Sequence, residues 1–425
     1  MRLAEQAGLY GLARDLVHVP GHQGSNQEVK IATLVAGMVA GADSITDMDM
    51  LRHGGMGKLF GDTRAPSTLG SFLRRFTFGH ARQVDALCSR FLVGLDRRCP
   101  FFGCRDAASP VMVDLDDTIV EVFGAAKQGA RIGYTKVRGL DVLLMTATTD
   151  QCAPVIIANR LRKGSANSAR GVVKFVQDGL ATLRRTSVAN RQVWLRADSG
   201  FTSAALVNQV MSTGGWISVT MGMTGPIRRA IATIGDHQWT PIEYPHPVVD
   251  PDSGGWVSRA EVAEIAHTAF ATVRHTRPIL GRLVVRRVPD WQAADKIAAG
   301  QDPLFAAWRY HAFFTTVPAD QYDTVKVDTL HRQHAVIEQV NAALKDSALA
   351  HLPSGKFAAN SVWVSLACLA FNLTRALGIL TSDPRLAVAV PATIRRTLVL
   401  VPARIASSAR TIIVHLPLNW KWATS

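Results

Sequence analysis

The order of hydrophobic patterns along this 425-residue chain predicts a mixed α/β fold, and three observations carry the prediction. Helical periodicity dominates up to about residue 105. Beyond Pro110 it gives way to runs of β-branched and aliphatic residues. From Ala169 to Met221 helix-like and strand-like stretches then alternate.

Residues 1–105 read as an all-α region. Asn26–Ala40 carries Val29, Ile31, Leu34, Val35, Met38 and Val39 on a broad apolar face and stops at Gly41. A short helix is expected from Ala42 or Asp43 towards Leu51, broken at Gly54 and Gly55. Pro66 opens another, with Ser67 or Thr68 as its cap. Arg74, Arg75, Phe76, Phe78, His80 and Arg82 then interleave cations with aromatic rings. Two readings fit them: a helix-turn-helix-like module on DNA, or a solvated helix face packed on the next domain.

Residues 106–222 form the first part of the expected core. Strands are predicted at Val111–Phe123, Leu140–Ala147 and Pro154–Asn159, with a glycine- and lysine-bearing turn at Gly124–Tyr134. Helix Ala169–Arg185, strand Gln192–Ala197, helix Ala204–Met211 and strand Trp216–Met221 follow. Three strands and then helix, strand, helix, strand is the chain order of a ribonuclease-H-like core. Residues 223–308, with many prolines and strands near Ala269–Val273 and Leu283–Val288, read as a strand-rich insertion. Residues 309–380 complete the core with strand Tyr310–Thr316 and a long helix from near Val325. The apolar Val362–Leu380 is broken by Asn372 and Arg375, which suits a buried helix and not a membrane span. Residues 381–425 are left as a C-terminal tail.

The chemistry gathers first at Val111–Val122. Asp114 and Asp116 leave the same face of an extended strand and Asp117 leaves the other. Carboxylates among apolar neighbours need compensation, from a divalent cation or from a division into nucleophile and acid/base. In the predicted strand order Asp198, at the end of its strand, would meet Asp116. Taken alone, Asp198 suits an N-cap for the turn after it. Along the later helix His331, His334, Glu338 and Lys345 advance by three, four and seven residues, a single helical face. That face is either a solvated ion-pair surface or the source of a third carboxylate.

Composition narrows the partners. Lysine and arginine exceed aspartate and glutamate by 47 to 33, a net charge of +14 that favours a polyanion such as nucleic acid. With 48% hydrophobic and 19% charged residues the chain lacks the signature of disorder. Five cysteines without a C-x-x-C pair indicate neither a disulfide framework nor a zinc site and suit a reducing cytoplasm.

At this point LDDT around Asp116, LRADSGF around Asp198 and HRQHAVIEQVNAALKD around Glu338 resemble the three motifs of DDE transposases from bacterial insertion sequences. The likeness is to the insertion-sequence-1380 type, and it runs from about Gln27 to the C-terminus through RAPSTLGSFLRRF and HLPSGKFAANSVW. The resemblance implies that Asp116, Asp198 and Glu338 are the catalytic, metal-binding triad, holding two Mg²⁺ ions with Mn²⁺ as a substitute. It implies metal-dependent cleavage at transposon ends and strand transfer into target DNA by in-line attack. Lys345 matches the lysine of the family's tyrosine–arginine–glutamate–lysine helix, while His331 and His334 stand where the broader group has tyrosine and arginine. Imidazole is a poorer phosphate clamp than guanidinium, and Arg332 supplies a nearby charge. Arg74 and Arg75 complete the expected DNA contacts. The implied partners are double-stranded DNA, as terminal inverted repeats and target, and a second copy of the chain on DNA, with no membrane. The implied location is the bacterial cytoplasm. The start at Met1 is short for the family, so an N-terminal piece is expected to be missing.

Val111–Thr118 also resembles the first motif of haloacid-dehalogenase-like phosphatases, with Asp114 as nucleophile and Asp116 as acid/base. That family needs a later G-D-x-x-x-D pair, and Gly235–Asp236 is followed by HQWT. A DNA-binding protein that keeps the transposase fold without catalysis is the remaining alternative.

Overall fold

A computed structural model describes the chain except residues 104–105, 107, 125, 250–255, 272–276, 290–307, 409–410, 419 and 421–425, together with the side chains of 245–249 and 256–257. Two compact units are present: Met1–Arg170 with Lys174–Arg191 and Val336–Ser425, and Gly171–Val173 with Gln192–Ala335. The helical N-terminal segment therefore does not stand apart. It belongs to the unit that holds the first strands and the C-terminal helices.

In the first unit helix Leu9–Leu16 packs on both Gln27–Ala40 and Phe78–Asp96. The last two also pack on the 24-residue helix Phe357–Leu380. Gln27–Ala40 ends at Gly41 with φ +108°, a backbone that favours glycine. The expected helix after it is a 3-10 turn, Thr46–Arg52. At Pro66–Leu73 neither Ser67 nor Thr68 caps; Ala65 is the N-cap and Pro66 sits in the first turn, where it needs no N–H partner. His80 turns back to cap the next helix, its Nδ1 accepting the Thr77 N–H at 3.1 Å.

The strands of this unit are β1 (Val111–Glu121), β2 (Arg131–Ile132), β3 (Arg138–Thr148) and β4 (Val155–Lys163). β1, β3 and β4 form an antiparallel meander, with Asp116 opposite Leu144 and Asp117 opposite Leu143. Phe357–Leu380 lies against β4. Its length and apolarity would suffice to cross a membrane, but 89% of its apolar window is buried. Asn372 is used here as a strand partner: Oδ1 accepts the Ile156 N–H at 2.9 Å and Nδ2 donates to Ile156 O at 2.7 Å. Arg375, 2% exposed, donates to the carbonyls of Ala387, at 2.7 Å, and Ala389.

The second unit holds β5 (Val193–Ala197), β6 (Trp216–Met221), β7 (Thr240–Val249), β8 (Trp256–Ala269), β9 (Ile279–Pro289) and β10 (Trp308–Thr315). Their order is β5-β6-β10-β9-β8-β7, with β5 and β6 parallel and the other pairs antiparallel. The sequence reading misplaces one strand of the insertion: β8 ends at Ala269, where Ala269–Val273 was expected to begin one. The physical reason is charge. Glu261 and Glu264 of β8 reach Arg287 at 2.5 Å and Arg282 at 2.7 Å, so a strand rich in charges is stabilised by ion pairs to β9 that local hydrophobicity does not reveal.

Candidate functional site

β1 lifts three carboxylates into three different environments. Asp114 is fully buried, with zero exposure. A nucleophile must reach its substrate, so this position does not serve the phosphatase reading, whose other candidate acid, Asp236, points fully into solvent. Asp117, on the opposite face, is paired with Arg162, which also grips Asp141 in a bidentate contact at 2.8 and 3.3 Å. Burial, and next the Asp117 charge, push the Asp141 carboxyl up to about 7, against the pull of Arg162.

Asp116 is half-buried and turned towards the helix Val336–Lys345. Asn341 of that helix donates from Nδ2 to Asp116 Oδ2 at 2.7 Å, while Asp116 Oδ1 accepts the Asp117 N–H at 2.8 Å. Asn341 is 7% exposed, and its own Oδ1 is buried without a hydrogen-bond partner. Four residues on, Lys345 is exposed along much of its side chain. Packing around its ammonium still lowers its pKa, and the Asp116 charge partly restores it. Glu338 is exposed, one turn before Asn341 on the same face. The structure thus gathers Asp116, Asn341 and Lys345, with Glu338 on the shared helix face. Sequence reasoning missed Asn341. Its signal is the spacing 338, 341, 345, which repeats the helical period.

Asp198 belongs to the second unit. It is exposed at the end of β5 and caps the turn Ser199–Phe201, its Oδ1 accepting the Gly200 N–H at 3.0 Å. His331 and His334 are in this unit as well. His331 is 9% exposed, stacked on Phe313 with centroids 4.0 Å apart and bonded through Nε2 to Thr220 Oγ1 at 3.2 Å. Burial first, then the neighbouring His334, Arg196 and Arg286, hold its pKa well below the usual histidine range. Arg332 is bound by Asp328 at 2.8 Å and lies over the Tyr244 ring.

The single helical face predicted for His331, His334, Glu338 and Lys345 is corrected by the backbone. Helix Thr324–Arg332 ends, a 3-10 turn follows at Gln333–Ala335, and a new helix starts at Val336. A 3-10 turn advances faster than an α-helix, so spacing counted across it no longer defines one face. Arg74 and Arg75 are exposed at the end of Pro66–Leu73, where Lys356 Nζ donates to Arg74 O at 3.1 Å. Phe76, between these arginines and Phe78 in the sequence, is buried edge-on against Phe72. Trp239 lies 4.2 Å from the Arg287 guanidinium, whereas Trp291 and the side chain of Trp256 are outside the described residues.

Among the described residues, no group of three or more histidine, cysteine, aspartate or glutamate side chains is placed to hold a metal ion. At Asp116 one carboxylate oxygen, Oδ2, already accepts the Asn341 amide N–H, which an ion there would have to share or replace.

No curated protein matches the chain. A family of transposases, described as transposase DDE domain group 1, matches it over residues 3–425. That match takes in every element described above, and the chain belongs to the DDE transposase family.

Proposed function

We propose that this protein is a DNA transposase that cuts at the ends of an insertion sequence of the insertion-sequence-1380 type and joins the freed ends to target DNA, acting as a dimer on DNA. Family membership over residues 3–425 is the observation that carries this reading. The three motifs and the charge of +14 support it. Asp116, Asp198 and Glu338 are the proposed catalytic carboxylates, carried on a ribonuclease-H-like core. Lys345 and the exposed Arg74 and Arg75 are the proposed phosphate contacts. His331 serves the interior in this reading, because its ring is stacked on Phe313 and only 9% exposed.

Within the first unit the residues divide the work. Asn341 orients Asp116 by holding one oxygen, which fixes the direction of the other, and Lys345 places a cation beside it. Phosphodiester cleavage builds negative charge on phosphate oxygens, and a partly desolvated ammonium stabilises such charge more than a solvated one. Magnesium is the proposed cofactor, with manganese as a substitute. An ion held by Asp116 would compete with the Asn341 amide for its carboxylate and would supply charge neutralisation at the phosphate.

The test is cleavage of the element's end DNA with Mg²⁺ by the wild type and by Asp116→Ala, Asp198→Ala and Glu338→Ala. Cleavage by the wild type alone, with all four chains binding, supports the assignment. Equal cleavage by all four removes it. Binding without cleavage by any of them leaves a DNA-binding protein.

A further inference from the structure

After β1 the chain makes an excursion over residues 122–137, three of whose large apolar side chains face solvent: Phe123 is 76% exposed, Ile132 64% and Tyr134 78%. Large apolar groups close together on a surface mark an interaction site when the backbone beneath them is fixed. Here it is fixed. β2 pairs with Arg138 and Gly139 of β3. The Lys136 N–H donates to Gly133 O at 3.1 Å, closing the turn that carries Tyr134, with Lys136 at φ +57°. Gln128 bonds to both Gly355 O and the Phe357 N–H, at 2.9 and 3.0 Å. A Cβ at Gly164 would stand 2.0 Å from Gly139 O and 2.6 Å from Arg131 O, so the backbones close only because position 164 has no side chain.

Charge identifies the partner. Between Glu121 and Arg138 there are four cations, Lys127, Arg131, Lys136 and Arg138, and Glu121 is the single acid. Arg131 and Lys136 are exposed among the apolar groups. Rings interleaved with cations on a rigid support suit a polyanion with flat apolar faces between its charges. The excursion follows the strand that carries Asp116, seven residues before Phe123, which is at most about 23 Å of extended chain or roughly seven base-pair steps.

We propose that this excursion is a duplex-DNA contact, with Arg131 and Lys136 on phosphates and Phe123 and Tyr134 packed against the sugars of DNA flanking the scissile position. It rests on the reading of Asp116 as a catalytic residue.

Binding of a labelled transposon-end duplex is followed by fluorescence anisotropy across a salt series without divalent ions, using the full chain. The double variant Arg131→Ala/Lys136→Ala lowers the steepness of log affinity against log salt by about two, since each lost phosphate contact removes about 0.9. Phe123→Ala/Tyr134→Ala weakens binding about tenfold and leaves the salt slope unchanged. Lys136→Arg retains the wild-type slope, and circular dichroism shows that each variant is folded. If folded variants match the wild type in affinity and slope, the proposal is overturned and the surface passes to a protein partner. A wild type that binds no DNA overturns the transposase reading and this contact with it, whereas a wild type that cuts while the variants bind equally overturns the contact alone.

Discussion

Replacing Arg162 with methionine removes a buried guanidinium and leaves Asp117 and Asp141 facing each other in the meander. Arg162 side-chain exposure is 8%, against 9% for Asp117 and 3% for Asp141, so water cannot take over its role. It also donates to the carbonyls of Asn167 and Ser168 at 3.3 and 3.0 Å. Breaking a buried ion pair by deleting one partner costs about 3–5 kcal/mol, and that is the loss expected at about pH 8. The direction with pH follows from Asp141. Its folded pKa, about 7, lies above the unfolded value near 3.8, so the folded chain keeps a proton that the unfolded chain releases. Its contribution to stability is therefore fully present below about pH 4 and lost as pH rises to about 7. Without Arg162 the Asp141 carboxyl holds its proton more strongly, and a protonated Asp141 sets no second charge against Asp117. At about pH 5.5 the loss is therefore smaller than at about pH 8. Urea denaturation of both chains at the two pH values measures this. An equal loss at both would refute the claim that buried charge, and not packing, is what Arg162 provides.

Three further outcomes are expected. Asn341→Leu frees Asp116 Oδ2 from its amide donor, so Mn²⁺ bound to the DNA-free chain, followed by electron paramagnetic resonance, increases several-fold; unchanged or weaker binding would show that the amide does not compete there. The His331 ring stays neutral in an NMR titration at pH values where a free histidine is protonated, because burial holds its folded pKa well below the unfolded value near 6.5, and stability is lost as pH falls below that value; a midpoint near 6.5 would contradict its burial. Asn372→Leu strands the Ile156 N–H and carbonyl against an apolar side chain and lowers stability by about 2–4 kcal/mol in thermal or urea unfolding, while a change under 0.5 kcal/mol would mean that water reaches that strand.

Much of the architecture is legible where local chemistry agrees with the fold. Helix Ala204–Met211 and strand Trp216–Met221 are read to the residue, since Ser203 caps the helix by accepting the Leu206 N–H and Gly214, at φ +76°, ends the turn between them. The break at Gln333–Ala335 is not legible, because neither glycine nor proline marks it. Asp117 illustrates the same limit. Its counter-ion lies 45 positions away on β4, and only strand pairing brings the two together. At the candidate site the motifs point to Asp116 and Glu338, but the amide that links β1 to the glutamate helix is visible only once the helix has been set against the strand.

The two polar residues inside Phe357–Leu380 also matter before the chain has folded. A segment of 24 residues with mean hydropathy 1.6 over its apolar window is what the membrane-insertion machinery selects when it emerges from the ribosome. A charged residue at the centre of such a segment costs about 2.5–3.5 kcal/mol on the insertion scale and less towards its end, so Arg375, in the last third, and the polar Asn372 both oppose that route. The bonds that bind Arg375 to Ala387 and Ala389 and Asn372 to Ile156 are thus made by the same side chains that disfavour insertion. A variant carrying leucine at both positions would lose its packing partners and become a substrate for mistargeting in the same step.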